Sequence, residues 1–204
     1  KKAKNSQFPP PSFQLATMLY DGEAGSEMRS YRQNYLSPLR EATKVVERLL
    51  CKSRWDDVDF SHVPSKALSI YARKCFPKHM KERFSQWQQD VLAGKSKMNT
   101  SQVDPYEVVT RFLDGSATEA EKPTLEAFYI KQIEALLKKG NVGNAVVVCD
   151  TSGSMYGTPM NVAVSLAIWI SSLATEEWKD MFFTFNDRPE VIDLSGCETL
   201  EKKV

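Results

Sequence analysis

The chain has 204 residues, of which 42% are hydrophobic and 26% charged, with a formal net charge of +1, a balance that excludes wholesale disorder and leaves room for one large domain or two small ones. No apolar run reaches the roughly 18 residues of a membrane helix, and the opening "KKAKNSQFPPPSF" lacks the apolar segment of a secretory signal; four cysteines (Cys51, Cys75, Cys149, Cys197) without a C-x-x-C pair read as reduced thiols, so the expected location is cytoplasmic, with the nucleus left open. The near-neutral total hides a polarity: residues 1–100 carry 18 Lys and Arg against 10 Asp and Glu, a net of +8, while residues 101–204 carry 9 against 16, a net of −7, which fits different partners for the two halves, mutual attraction between them, or two solvated faces of opposite sign.

Residues 1–12 are basic and then proline-rich, and Pro9 to Pro11 predict an extended arm. A helical domain is expected over residues 13–139. "SPLREATKVVERLL" predicts a helix with Ser37 as N-cap and Pro38 at its first position, and places Leu39, Ala42, Val46 and Leu49 on one face. "SKALSIYARKCF" predicts a second helix that stops before Pro77. "HMKERFSQWQQDVL" predicts a third, with Phe84, Trp87 and Val91 on a stripe and Gly94 as its end. "DPYEVVTRFL" repeats the capping logic with Asp104 and Pro105, and "TLEAFYIKQIEALLKKG" puts Leu125, Phe128, Ile133, Leu136 and Leu137 on a helix ended by Gly140.

After Gly140 the period changes. "AVVVC" reads as a short buried strand, "MNVAVSLAIWISSLA" as a strongly apolar helix and "MFFTF" as a second strand, a β-α-β succession; "PEVIDL" predicts a third, edge strand, and "TLEKKV" the first turn of a helix. About three strands are too few to cover the helices of an open parallel sheet, so residues 140–204 are expected to be the N-terminal part of an α/β domain that is incomplete in this chain. Trp169 and Ile170, on a helix apolar nearly all round, are expected to pack against the sheet.

Asp150, Ser152 and Ser154 fall where the first strand ends and the next helix begins, the place at which open α/β sheets collect their functional groups. Alternate residues of an extended loop can project to the same side, with Gly153 allowing a tight turn between the serines. An oxygen-only set with one fixed charge suits Mg²⁺ or Mn²⁺. The rival chemistries lack a residue each: Ser152 stands where a D-x-D phosphatase needs its second aspartate, Ser154 is not in G-x-S-x-G, and no G-x-x-x-x-G-K-[ST] loop exists. His62 and His79 have no ligand spacing. A plain N-cap and turn is the structural alternative for "DTSGSM".

"VVVCDTSGSM" resembles the first segment of the metal-ion-dependent adhesion site of von Willebrand factor type A domains, D-x-S-x-S after the first strand, with Asp150, Ser152 and Ser154 matching one by one. The resemblance implies a doubly wound, Rossmann-like sheet and a site completed by a threonine and an aspartate from later loops, neither of which this sequence contains. The order helical region, then such a domain, resembles the TROVE layout of Ro-type RNA-binding proteins, in which the helical part is HEAT-like and RNA is held on its basic surface. Residues 31–76, 97–109 and 150–171 are similar to a family of uncharacterised proteins of plants and large viruses with this same two-part layout, a likeness that runs from Tyr31 to Ser195.

The fold class expected is therefore α followed by α/β: a helical, HEAT-like N-terminal region and a partial von Willebrand A domain. The expected function is that of a non-enzymatic interaction scaffold whose metal ion takes an acidic group from a protein partner, with no membrane involved. RNA binding on the helical surface is the alternative. Its phosphate contacts are then Arg73, Lys74, Lys78, Lys81 and Arg83, with Lys95 and Lys97 following, although helical spacing scatters several of these around the axis and no base-reading motif accompanies them.

Overall fold

The computed structural model describes residues 11–20, 26–140 and 142–204, the side chain of Glu176 excepted, and the chain divides into two compact units, Lys1–Val58 and Asp59–Val204. Most of the arm expected over residues 1–12 lies outside the described residues; Pro11 and Ser12 instead open the first helix, α1 (Pro11–Leu19), where proline's missing N–H costs nothing.

In the first unit, α2 (Glu27–Tyr31) runs through a π-helical stretch, Arg32–Leu36, into α3 (Ser37–Ala42). Ser37 is thus not an N-cap. Its N–H bonds Arg32 O, five residues back, and this wider turn sits next to Pro38, whose ring would crowd the carbonyl of a regular turn. Lys44, at φ 49°, separates α3 from α4 (Val46–Cys51), so the single predicted stripe is two helices. Glu41 gathers Lys52 (2.6 Å) and Arg54 (2.9 Å), and the hydrogen bond from Lys52 holds its carboxyl below the usual range against a slight opposing effect of burial.

The second unit begins with an aromatic core. Phe60 meets Phe76, Phe84 and Trp87 at centroid separations of 5.2, 5.3 and 5.5 Å. The helix predicted up to Pro77 is broken: α5 (Ser65–Tyr71) ends and α6 (Cys75–His79) restarts with Pro77 in its first turn, where no donor is needed. In α7 (Lys81–Leu92) the predicted stripe of Phe84, Trp87 and Val91 is buried, and Gly94 follows in the left-handed region at φ 74°. Buried Gln88 on α7 donates to Ala120 O and Thr124 Oγ1, tying this helix to the start of α9 (Lys122–Leu137). Between them lies α8 (Pro105–Leu113), with Pro105 opening it as expected. On α9 the buried stripe of Leu125 and Phe128 ends at Tyr129, and Leu136 and Leu137 are exposed, so the predicted apolar face is only half used. The helices of this unit's N-terminal part run from five to sixteen residues, unlike the equal pairs of a regular HEAT-like stack.

The remaining chain adds β to α. β1 (Val147–Asp150) and β2 (Met181–Phe185) are parallel, and β3 (Val191–Asp193) joins β2 antiparallel, giving the order β1-β2-β3. A parallel pair needs a crossover; it is α10 (Thr158–Leu173), sixteen residues without one charged side chain. Such a helix has to be covered on most sides. α10 lies between the sheet and the helices α8 and α9. Trp169, 2% exposed, stands edge-on to Tyr129 at 4.7 Å and donates to Gln132 Oε1, both on α9. The indole ties α10 to α9, and the boundary expected at residue 140 falls inside one compact unit. The short α11 (Leu200–Lys203) closes the unit on α9: Leu200 N–H donates to Glu126 Oε2, and Lys203 reaches Asp180 Oδ1 at 2.6 Å.

The opposite sheet face is largely exposed among the described residues, although Trp178 packs against Phe183. Val148 pairs in register with Phe183, and Asp150 with Phe185, and Val146, Val148, Phe185 and Val191 are all exposed. All four cysteines are free thiols, Cys149 buried. Among the described residues no helix is long and apolar enough to cross a membrane.

Candidate functional site

β1 delivers Asp150 to its C-terminal end as the last residue of the ladder, and Thr151 N–H extends the pairing to Phe185 O at 3.0 Å. The chain then turns on side-chain oxygen. Ser152 N–H donates to Asp150 Oδ1 at 2.9 Å, and one strand over Arg188 N–H donates to Asn186 Oδ1 at 2.8 Å, so both parallel strands end in the same aspartate/asparagine turn. Asn186 Nδ2 donates to Thr151 Oγ1 at 2.9 Å and locks the two loops together. Sequence reasoning missed this brace; the signal was Asn186 itself, two residues before a backbone it could bond.

Ser152 and Ser154 come together as the alternation predicted, with hydroxyl oxygens 3.1 Å apart. Gly153 has no left-handed φ and starts a single 3₁₀ turn, Gly153–Met155. The glycine the loop needs is Gly157, at φ 89°, where the chain swings into α10. Hydrogen bonds from the Ser152 hydroxyl and backbone N–H hold the Asp150 carboxyl below the usual aspartate range, with burial opposing weakly. The product is a hydrogen-bonded loop presenting one carboxylate and two converging hydroxyls. Its flanks are aromatic: Tyr156 is 90% exposed and Phe185 61%.

Among the described residues no three His, Cys, Asp or Glu side chains cluster to hold a metal, so the donors available are this mixed set. An oxygen-only set with a single charge fits a hard divalent cation that keeps most of its water, not zinc.

The cations proposed for nucleic acid are not one surface. Arg73 and Lys74, in the turn between α5 and α6, line a cavity of about 400 Å³ with Ser69, Ile70, Glu107 and Arg111. Arg83, on α7, lies over the Phe60 ring at 5.6 Å and lines a different cavity with Glu82 and Asp90. Lys78 is on α6, Lys81 opens α7, and Lys95 and Lys97 follow it; all four are exposed and line neither cavity. The residue missed here is Arg111. It donates from Nε and Nη2 to Glu121, a carboxylate only 1% exposed, at 3.0 to 3.3 Å. No sequence signal joins two residues that meet across the α8–α9 loop.

The site and the helical layer packed behind it define a two-part, α+β protein. The chain belongs to the DUF2828 family, a domain of unknown function whose profile matches residues 17–142, and a second domain of unknown function, DUF7788, matches residues 144–204. The two profiles meet at Gly143, inside the second compact unit. A curated relative, the uncharacterized protein L728 of Acanthamoeba polyphaga mimivirus, is 29% identical over 192 residues, covering 88% of this chain and 33% of the viral protein. The chain thus spans about a third of the length of that relative. No solved structure matches.

Proposed function

We propose that the protein is a non-enzymatic interaction scaffold in which residues 144–204 form the first part of a von Willebrand A-like, doubly wound domain, and in which Asp150, Ser152 and Ser154 hold Mg²⁺ or Mn²⁺ for an acidic group of a protein partner. The observation that carries the reading is the 3.1 Å convergence of the two serine hydroxyls on the loop directly after an ionised strand-end aspartate. Parallel pairing of β1 and β2 through α10, with an antiparallel strand at the edge, is compatible with a larger mixed sheet. The exposed apolar face beside β1 is what a second helical layer would cover. The resemblance itself rests on the motif residues, since both matched families are of unknown function.

When bound, the ion supplies a hard positive charge with coordination positions open to a carboxylate. Asp150 supplies the fixed negative charge, while the serines orient through lone pairs and the Asn186–Thr151 brace keeps the loop from relaxing. Exposed Tyr156 and Phe185 offer the aromatic contact area that protein interfaces favour.

The test is Mn²⁺ titration of the full chain by electron paramagnetic resonance, alongside partner capture with and without chelator. Asp150→Asn is expected to weaken Mn²⁺ binding at least tenfold with helical circular dichroism unchanged. Because the folded carboxyl titrates below the usual aspartate range, binding by the parent protein is expected to persist through mildly acidic pH and to fall only below that range. Equal Mn²⁺ binding by parent and variant overturns the reading, and loss of the fold in Asp150→Asn assigns the motif to turn formation alone. RNA binding of the TROVE kind stands second, favoured by the exposed Lys78, Lys81, Lys95 and Lys97, which make no ion pairs among the described residues.

A further inference from the structure

The structure points to a second ligand site, unrelated to Asp150: we infer that the cavity between α5 and α8 binds an organic phosphomonoester through Arg73, Lys74 and Arg111. Its volume of about 400 Å³ is within the range of small-molecule sites.

The charge accounting singles out this cavity. Glu107, the acid in its wall, is already held by Lys66. Glu121 lies beneath it, buried, and is engaged bidentately by Arg111 through Nε and Nη2, which leaves Nη1 uncommitted. Arg73 approaches the same carboxylate only to 3.8 Å, too far for a hydrogen bond. Lys74 has no ion pair among the described residues. Asp114 lies close enough to feel both arginines, but its carboxylate is occupied by Ser116, and the cluster keeps a net positive charge with Asp114 counted.

Two arginines and a lysine from two separate segments thus line one concavity, and a buried carboxylate sets the plane of one guanidinium. Planar forks on a rigid mount are how proteins read phosphate oxygens. The organic part has a place too: Ile70, 64% exposed, and Ser69 form the uncharged part of the wall. Lys78 follows on α6, its N–H bonded to Lys74 O, outside the cavity lining. A nucleotide and the 5′ end of an RNA strand share this chemistry.

The test titrates the full chain, in chelator, with adenosine monophosphate, adenosine, and a short single-stranded RNA carrying either a 5′-phosphate or a 5′-hydroxyl. At least one phosphorylated probe is expected to bind ten times or more tighter than its unphosphorylated counterpart, with affinity falling as salt rises. Arg73→Gln with Lys74→Met, two exposed positions, is expected to abolish that preference without changing the thermal midpoint. Preference for the nucleotide alone assigns the site to a free nucleotide, and preference for the phosphorylated strand alone assigns it to an RNA end. Binding that ignores the phosphomonoester, binding unchanged in the double variant, or saturation by no probe overturns the inference. Chelator leaves these outcomes independent of the Asp150 site.

Discussion

Glu121 is a residue that makes sense only with its partner. It is 1% exposed, and Arg111, itself mostly buried, satisfies both of its oxygens. Removing one member of a buried pair strands the other charge, which costs more than the pair contributes. Arg111→Leu is therefore expected to destabilise the protein by about 3 kcal/mol, and adding Glu121→Met should recover most of the loss, both read from urea midpoints. Glu126 is the opposite case. Burial pushes its carboxyl up, against the opposing Leu200 N–H and Lys203. A folded-state carboxyl above its unfolded value stabilises the fold at low pH and loses that contribution as pH rises through the folded pKa. Glu126→Gln keeps an acceptor for Leu200 N–H and removes the titration, so its stability should fall less than that of the parent as pH rises above the ordinary glutamate range, measured by denaturation at several pH values.

α10 shows how much one element can decide. Its lack of charge is plain in the sequence, and its position between sheet and helices explains the composition: β1 and β2 need one side, α8 and α9 the other. Asn161 donates to Thr110 on α8 at 3.2 Å, and Ser172 links Tyr129 on α9 to Asp180 before β2. Trp169 is the largest side chain in this seam. Trp169→Ala is expected to cost about 3 to 5 kcal/mol and to red-shift the remaining tryptophan emission, seen in equilibrium unfolding followed by fluorescence. If the loss is under about 1 kcal/mol, as for surface changes, the seam does not hold the helix.

At the scale of the molecule, two domains of unknown function meet in sequence at Gly143, yet residues 59–204 form one compact unit. A helical domain was expected over residues 13–139, and its helices α8 and α9 have apolar faces whose cover is α10. A fragment of residues 59–139 is therefore expected to keep far-ultraviolet helical signal but to lose near-ultraviolet signal and bind a hydrophobic dye, as loosely packed states do. The fragment 59–204 should unfold in one cooperative transition. A well-packed 59–139 fragment would show that the seam is an interface between two independent folds.

Local chemistry made part of this protein legible from its residues alone. "MFFTF" is β2 residue for residue, Pro105 opens α8, the Phe84, Trp87 and Val91 stripe is buried, and the alternation of "DTSGS" brings the two serine hydroxyls together. Each rests on near-neighbour steric or hydrogen-bonding rules that hold whatever surrounds them. Tertiary structure decided the rest, because the deciding partner was distant in sequence. Pro38 and Pro77 sit inside helices since a π-helical stretch and a fresh helical turn absorb them, Trp169 meets Tyr129 and Gln132 of α9, and seven cations that look like one basic stretch divide between two cavities and open surface. Charge repeats in sequence say how many cations there are, and only packing says which of them face the same point. Glu121 and Arg111, joined across a loop, are where that difference is sharpest.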